Sequence, residues 1–315
     1  MELKVVALAG GVGGARLAHG LYQALAPENL TVIVNTGDDF IHHGLAISPD
    51  LDTVCYTLAG LANPETGWGM AEDGFKANKQ IKFLGGEDWF KLGDRDLGTQ
   101  LRRTERIKSG EKLSDITRDF CFKWGVKASI LPMSDDFIQT KVETKDKRLL
   151  DFQEYFVHQK CQPEVSGFLF SGIEKAEPSP GMMEAIQACE FVVVCPSNPW
   201  VSIDPILSVK HVREALTDKC VIAVSPLIGG KAIKGPLSKM YRELDIQPTS
   251  IAISKHYSDM VRGMVIDKLD IQEKDEIEAF GIITKITDIL MKDVSDRKRL
   301  AIEVLDFGRS LLPIL

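Results

Sequence analysis

The apolar residues of this chain arrive in short β-branched blocks separated by stretches of helical period. The first block, KVVALA at 4–9, runs into a glycine cluster, and Leu17, Leu21 and Leu25 then recur at i, i+4 and i+8. That spacing predicts an amphipathic helix over 15–25, and LTVIVN at 30–35 reads as a second buried strand. Strand, glycine turn, helix and strand make a βαβ unit, which implies a parallel sheet. The rhythm returns late. EFVVVC (190–195), CVIAVS (220–225) and SIAIS (250–254) are predicted strands, separated by helices near 205–217 and 235–244. A last helix at 294–308 places Leu300, Val304 and Phe307 on one face.

The middle breaks this rhythm. Residues 65–125 predict mainly helix, with Trp68, Trp89 and Trp124 spread through them. After ASILP, the runs IQTKVET and RLLDFQEYFVH flank a polar KDK turn, the pattern of a β-hairpin. The expected fold class is α/β: a Rossmann-like, doubly wound, mainly parallel sheet with an inserted helical and β-hairpin lobe. Residues 1–64 and 165–315 are assigned to the core, and 65–164 to the inserted lobe.

Composition changes this picture little but excludes some functions. With 315 residues, 44% hydrophobic and 26% charged, the chain has the make-up of a soluble globular protein. A net charge of −7 argues against a general nucleic-acid binder, so any anionic ligand has to be held by local donors. No apolar run approaches the ~20 residues of a membrane span. MELKVVALAGG, with an acid at position 2, lacks the pattern of a signal peptide. The expectation is a cytoplasmic protein with small-molecule substrates and neither nucleic-acid nor membrane partners. Cys55, Cys121, Cys161, Cys189, Cys195 and Cys220 are scattered without a C-x-x-C pair, and read as free thiols, buried at Cys189 and Cys195.

Several stretches carry candidate chemistry. In AGGVGGAR, Gly10, Gly11, Gly13 and Gly14 allow close backbone approach, and the helix after them offers unpaired N–H groups to a phosphate. Arg16 adds a charge. It also stands where a dinucleotide fingerprint needs its third glycine or alanine, and the loop lacks the Gly-Lys-Ser/Thr of a P-loop. NTGDDF (35–40) puts Asp38 and Asp39 at a strand's carboxyl end, where ligands collect. In ISPDLDT, Ser48 as N-cap and Pro49 at the first position start a helix, and Asp50 favours its dipole. Asp50 and Asp52, two apart, cannot share a helix face and have separate tasks. Two acidic clusters beside a phosphate loop suggest an oxygen-ligated Mg²⁺; helix capping plus solvated acids is the competing account. His42 and His43, between the clusters, read as loop or ligand contacts, not zinc ligands.

FKLGDRDLGT gathers Lys91, Asp94, Arg95 and Asp96 before a helix. Lys91 and Arg95 are candidates for phosphate or substrate, and Asp94 or Asp96 for the metal or Arg95; surface charge pairing would explain the cluster equally well. The loops LPMSDD (131–136), CPSNPWVSIDP (195–205) and SPLIGGKAIKGP (225–236) each follow a strand-like run. Ser197 and Asn198 suit a base or a phosphate, and Gly229, Gly230 and Lys231 a second anion nest. No G-x-S-x-G elbow and no paired serine, cysteine and histidine point to a nucleophilic triad.

Taken in order, GGVGGAR, VNTGDD, SPDLDTVCYTLAG, WG, KLGDRD, LPMSDD, FQEYFV, PSNPWVSIDPIL and VSPLIGGKAIKGP resemble the 2-phospho-L-lactate transferase family of coenzyme F-420 biosynthesis. The resemblance implies a Rossmann-like core with an inserted lobe, a homodimer, and Mg²⁺-dependent transfer of a phospholactyl group. The group would pass from lactyl-2-diphospho-5′-guanosine to the deazaflavin Fo, giving coenzyme F-420-0 and GMP; some relatives use an enolpyruvyl donor. It places Asp52 and Lys91 at the Fo site. On this reading Asp38 and Asp52 are catalytic and hold the metal. Gly11, Gly13, Gly14, Arg16, Asp94, Arg95, Ser197 and Asn198 bind the nucleotide and its phosphates. The main alternative is a non-enzymatic sugar-nucleotide-binding regulator of a related gluconeogenesis-factor family, which shares the glycine loop and the aspartates. An NAD(P) oxidoreductase is disfavoured by Arg16 and by the lack of a lone ribose-binding acid.

Overall fold

A computed structural model describes residues 3–232 and 237–313. Seven strands form the central sheet: β1 (Val5–Ala9), β2 (Leu30–Val34), β3 (Ser129–Pro132), β4 (Phe191–Val194), β5 (Cys220–Val224), β6 (Val261–Asp267) and β7 (Ile283–Thr287). All pairs are parallel, in the spatial order β7-β6-β5-β4-β1-β2-β3. The order reverses between β1 and β4, so the loops leaving their carboxyl ends diverge and open a crevice there.

The strands are apolar on both faces because helices cover both. Val5, Ala7 and Ala9 pack to one side with α1 (Gly11–Ala24), α2 (Pro49–Leu58) and, late in the chain, the helix Val294–Leu311. Val6 and Leu8 face the other side with Ile203, Ile206 and Val212. Leu300, Val304 and Phe307 are buried, as their spacing predicts. Cys189 and Cys195 are buried free thiols.

Two predicted elements differ. SIAIS is not a strand: Ser250–His256 is helical, and the Thr249 side chain accepts a hydrogen bond from the Ala252 N–H as its N-cap. Its buried residues, Ser250, Ile253 and Ser254, follow helical spacing. The strand of that unit is β6, whose apolar run is diluted by Gly263. A Cβ there would meet Leu311 Cδ1 at 2.6 Å and Phe307 Cε1 at 2.8 Å, so glycine lets the last helix lie close. The predicted helix near 235–244 is present as Leu237–Glu243, its start at 235 and 236 lying outside the described residues.

The insertion is helical through Lys76–Phe83, α3 (Asp94–Lys108) and Leu113–Lys123. The hairpin forms between Gln139–Thr144 and Leu149–Asp151, and Val165–Ser171 pairs antiparallel on its other side. Ser129–Pro132, from the same span, joins the central sheet as β3 beside β2.

Candidate active site

The crevice between β1 and β4 widens into a cleft of about 800 Å³. The core contributes Gly10, Gly11, Gly13, Arg16, Asp38, Asp50 and Asp52, with Pro196, Ser197 and Asn198 from the loop after β4. The insertion contributes Trp68, Trp89, Phe90, Lys91, Phe152 and Phe156. One cavity thus joins a phosphate-type loop and buried acids to an aromatic wall.

The glycines answer to packing as well as to any ligand. Gly11 sits at φ 62°, in the left-handed region. A Cβ on Gly13 would run into the Pro196 carbonyl oxygen, and one on Gly14 would meet Ser197 Oγ at 2.5 Å. Ser197 Oγ donates to the Gly10 carbonyl (2.8 Å) and accepts from the Gly10 N–H (3.1 Å), which clasps the two loops. Asn198 Oδ1 accepts from the Trp200 and Val201 N–H groups. Ser197 and Asn198 therefore shape the crevice with polar atoms already engaged. Gly14 lies behind the wall.

Asn35, at the end of β2, organises the acids. Its Nδ2 donates to Asp38 Oδ1 (3.3 Å), Asp50 Oδ2 (2.9 Å) and the Val201 carbonyl (3.2 Å), while its Oδ1 accepts from Gly37 N–H (2.8 Å). Gln153, from FQEYFV, donates to Asp38 Oδ2 (3.0 Å). Ser48 takes the N-cap position of α2, but its hydroxyl donates to Asp39 Oδ2 (2.6 Å). Asp39 Oδ1 is buried with no partner. Burial and the neighbouring charges of Asp50 and Asp39 push Asp38 well above the usual carboxylate range; burial raises Asp39 likewise. Burial also lifts Asp50 to about 6. The Arg103 charge eases Asp39 in part, while Asp38 and Asp50 are left as a buried donor set short of positive charge.

Asp52, also on the cleft wall, is tied to the insertion. Its carboxylate is paired bidentately with the Arg103 guanidinium of α3 and accepts from Gln100 Nε2 (2.8 Å). Gln100 also donates to Asp96 Oδ1 (3.0 Å), which accepts from Tyr56 OH (2.8 Å). Burial, then the Asp52 charge, raises Asp96 to about 6. Asp50 and Asp52 make separate contacts: Asp50 joins Asp38 through Asn35, while Asp52 pairs with Arg103. Among the described residues, no group of three or more His, Cys, Asp and Glu side chains is arranged to hold a metal ion.

Other residues fall elsewhere. Asp94 caps the helix Lys76–Phe83, accepting from the Lys76 and Ala77 N–H groups (3.2 and 2.9 Å). Asp73 caps α3 in return through the N–H groups of Arg95 and Asp96. Arg95 Nη1 donates to the Ala71 carbonyl (3.2 Å), so neither Asp94 nor Arg95 reaches the cleft wall. The Gly229–Gly230 nest is already filled: Asp270 Oδ2 accepts from Gly229 N–H (3.0 Å). Residues 233–236 of that loop lie outside the described residues. Asp135, from LPMSDD, accepts from Ser114 N–H (2.7 Å) at a helix start away from the cleft. His42 packs against Trp89 and Phe90. Asn35, Gln100, Arg103 and Gln153 had no sequence assignment; Asn35 and Gln153 stand inside quoted motifs, the one signal that could have found them.

The family model described as 2-phospho-L-lactate transferase CofD matches residues 5–304. The chain belongs to this family. It is a transferase, and the family's chemistry is phospholactyl or phosphoenolpyruvyl transfer in coenzyme F-420 biosynthesis. A phosphoenolpyruvate transferase of Streptomyces griseus is 37% identical over 98% of this chain and 99% of its own length. A 2-phospho-L-lactate transferase of Methanocaldococcus jannaschii is 37% identical over 99% of this chain and 100% of its own. Among solved structures, a UPF0052 family member from Bacillus halodurans superposes with a TM-score of 0.65 at 15% identity. It covers 97% of this chain and 99% of that one, which shows the shared fold. Among the described residues no helix is long and apolar enough to cross a membrane.

Proposed function

We propose that this family member transfers a phospholactyl or phosphoenolpyruvyl group from a guanylyl diphosphate donor to the deazaflavin Fo, with Mg²⁺, releasing GMP. The observation that carries this reading is the single cleft, in which a glycine loop and buried acids at the switch point meet an aromatic wall from the insertion. The amides of the loop and the start of α1 suit a diphosphate. The aromatic side chains suit a flat tricyclic acceptor.

Asp38 and Asp50 fit Mg²⁺: their charges are uncompensated, and such a site is commonly one or two carboxylates completed by substrate phosphates. Bound there, the ion would neutralise charge on the diphosphate. Asn35 and Gln153 hold the two carboxylates in place. The terminal ribityl oxygen of Fo attacks the β-phosphorus in line. A new P–O bond forms as the bond to the bridging oxygen breaks, GMP keeps that electron pair, and the hydroxyl proton passes to the departing GMP phosphate. Phosphoryl-type transfer depends mainly on positioning and charge stabilisation, so a site without a nucleophile suffices. The apolar wall keeps water from competing with the acceptor.

Calorimetric titration tests the ligands apart from turnover. GDP with Mg²⁺ should bind and NADH should not, and Fo should bind with a change in its fluorescence. Tight NADH binding without Fo binding would favour an oxidoreductase; nucleotide binding without Fo would favour a regulator.

A further inference from the structure

Transfer onto a hydroxyl displaces a proton, and the cleft offers few groups to receive it. Among the described residues that line it there is no histidine, glutamate or cysteine; the acids are Asp38, Asp50, Asp52 and Asp96. Asp52 is neutralised by Arg103, whose guanidinium takes both of its oxygens. Asp38 accepts from Asn35 on one oxygen and from Gln153 on the other, and with Asp50 it is short of positive charge. A carboxylate that serves a cation is a poor base, because the positive charge favours its ionised form. Asp96 is left.

Asp96, in the first turn of α3, is held from one side only. Its N–H is tied to Asp73 Oδ2 (3.1 Å), and its Oδ1 accepts from Tyr56 OH (2.8 Å) and Gln100 Nε2 (3.0 Å). Tyr56 and Gln100 line the cleft too. Oδ2 has no donor among the described residues and, unlike Asp39 Oδ1, is not sealed from solvent. The carboxylate is thus fixed in orientation, with one open oxygen on the cleft wall. Asp52 faces it across Gln100 as a like charge, and Arg103 acts on it as a weaker opposite one. With a pKa of about 6, Asp96 is ionised near pH 7 and more basic than an ordinary aspartate. A base suits its task best when tuned towards the working pH. Holding such a carboxyl beside another charge costs stability, which is common where a residue serves chemistry.

We propose that Asp96 Oδ2 is the general base of the transfer, taking the proton of the attacking hydroxyl and handing it to the departing GMP phosphate. The proposal rests on the transferase reading above. The O–H bond of the acceptor breaks towards Asp96 as its oxygen forms the new bond to phosphorus. The bridging oxygen leaves with its electron pair and then receives the proton, so Asp96 ends ionised, as it began. Asp96→Asn is isosteric and keeps an oxygen for Tyr56 and Gln100. With Fo and the donor each varied, its kcat should fall by about a hundred- to ten-thousandfold. Its KM for Fo and its calorimetric affinity for GDP should change little, and it should melt no lower than wild type. Asp96→Ala leaves room for a small carboxylate, so added formate should restore its turnover by about tenfold or more while leaving wild type unaffected. A purely structural role would give no such rescue. With an active wild type, an unchanged kcat in Asp96→Asn, a loss confined to KM for Fo, or no formate rescue of folded Asp96→Ala would overturn this proposal alone. If Asp96→Ala does not fold, the kcat of Asp96→Asn decides. A wild type that makes no product from Fo and the donor would overturn the transferase reading, and this proposal with it.

Discussion

Replacing Arg103 by methionine probes the link between the core and the insertion. Arg103 and Asp52 are buried, with side chains 3% and 8% exposed, and the pair joins α3 to α2. Burial alone would make the guanidinium less basic; the charge and hydrogen bonds of Asp52 outweigh it and raise its pKa. Methionine fills much of the volume but leaves Asp52 with Gln100 as its remaining side-chain donor. Breaking a buried pair from one side typically costs about 3–5 kcal/mol, whereas an exposed pair would cost under ~1 kcal/mol. For a chain of this size that loss corresponds to a fall in Tm on the order of 5–8 °C. Because a neutral replacement of both partners is often nearly neutral, Arg103→Met with Asp52→Asn should recover most of the loss. Guanidinium denaturation with an unchanged slope gives the free energies. A single-variant cost below ~1 kcal/mol, or a double variant no better than the single, would refute the reasoning. Short of unfolding, Arg103→Met should raise KM for Fo more than KM for the nucleotide donor, since Asp52 loses its fixed position.

Three further outcomes follow from the site. Asp96 has a folded pKa of about 6 against an ordinary 3.8, so its contribution to stability is fully present below about pH 4 and lost as pH rises through 6; Asp96→Asn should be more stable than wild type at pH 7 by up to about 3 kcal/mol, with the gap closing at pH 4, and a pH-independent gap would contradict the assignment. Lys91→Ala should raise KM for Fo by about ten- to a hundredfold, the worth of one charge-assisted hydrogen bond, in steady-state kinetics with each substrate varied; a defect confined to the donor would move Lys91 to the phosphates. Gly13→Ala should push the glycine loop off the Pro196 carbonyl and weaken GDP binding at least tenfold by calorimetry, while wild-type affinity would show that the clasp is dispensable.

The parts legible in the sequence were those set by local pattern. The continuous apolar runs of β1, β2, β4 and β5 announce strands buried on both faces, and the glycine loop announces the switch point. SIAIS misleads because β-branching says strand while Thr249 caps a helix. β6 hides because Gly263 serves the packing of a distant helix. The site's chemistry was only half legible for the same reason. Aspartates announce themselves in NTGDD and SPDLD, but that Asp52 is paired depends on Arg103, far away in sequence. Asp94 and Arg95 look like ligands in LGDRD, yet they are taken up by a reciprocal helix cap with Asp73 and by a backbone carbonyl. Long-range partners of this kind leave no periodicity to read.

The most direct test of the account is to incubate the purified protein with Fo, the guanylyl diphosphate donor and Mg²⁺, and to follow both products by mass spectrometry. Phospholactyl or phosphoenolpyruvyl Fo and GMP should appear in equal amounts, and Asp50→Asn, though folded, should lose most of this activity. Donor hydrolysis without any product on Fo, or full turnover by Asp50→Asn in EDTA, would contradict it.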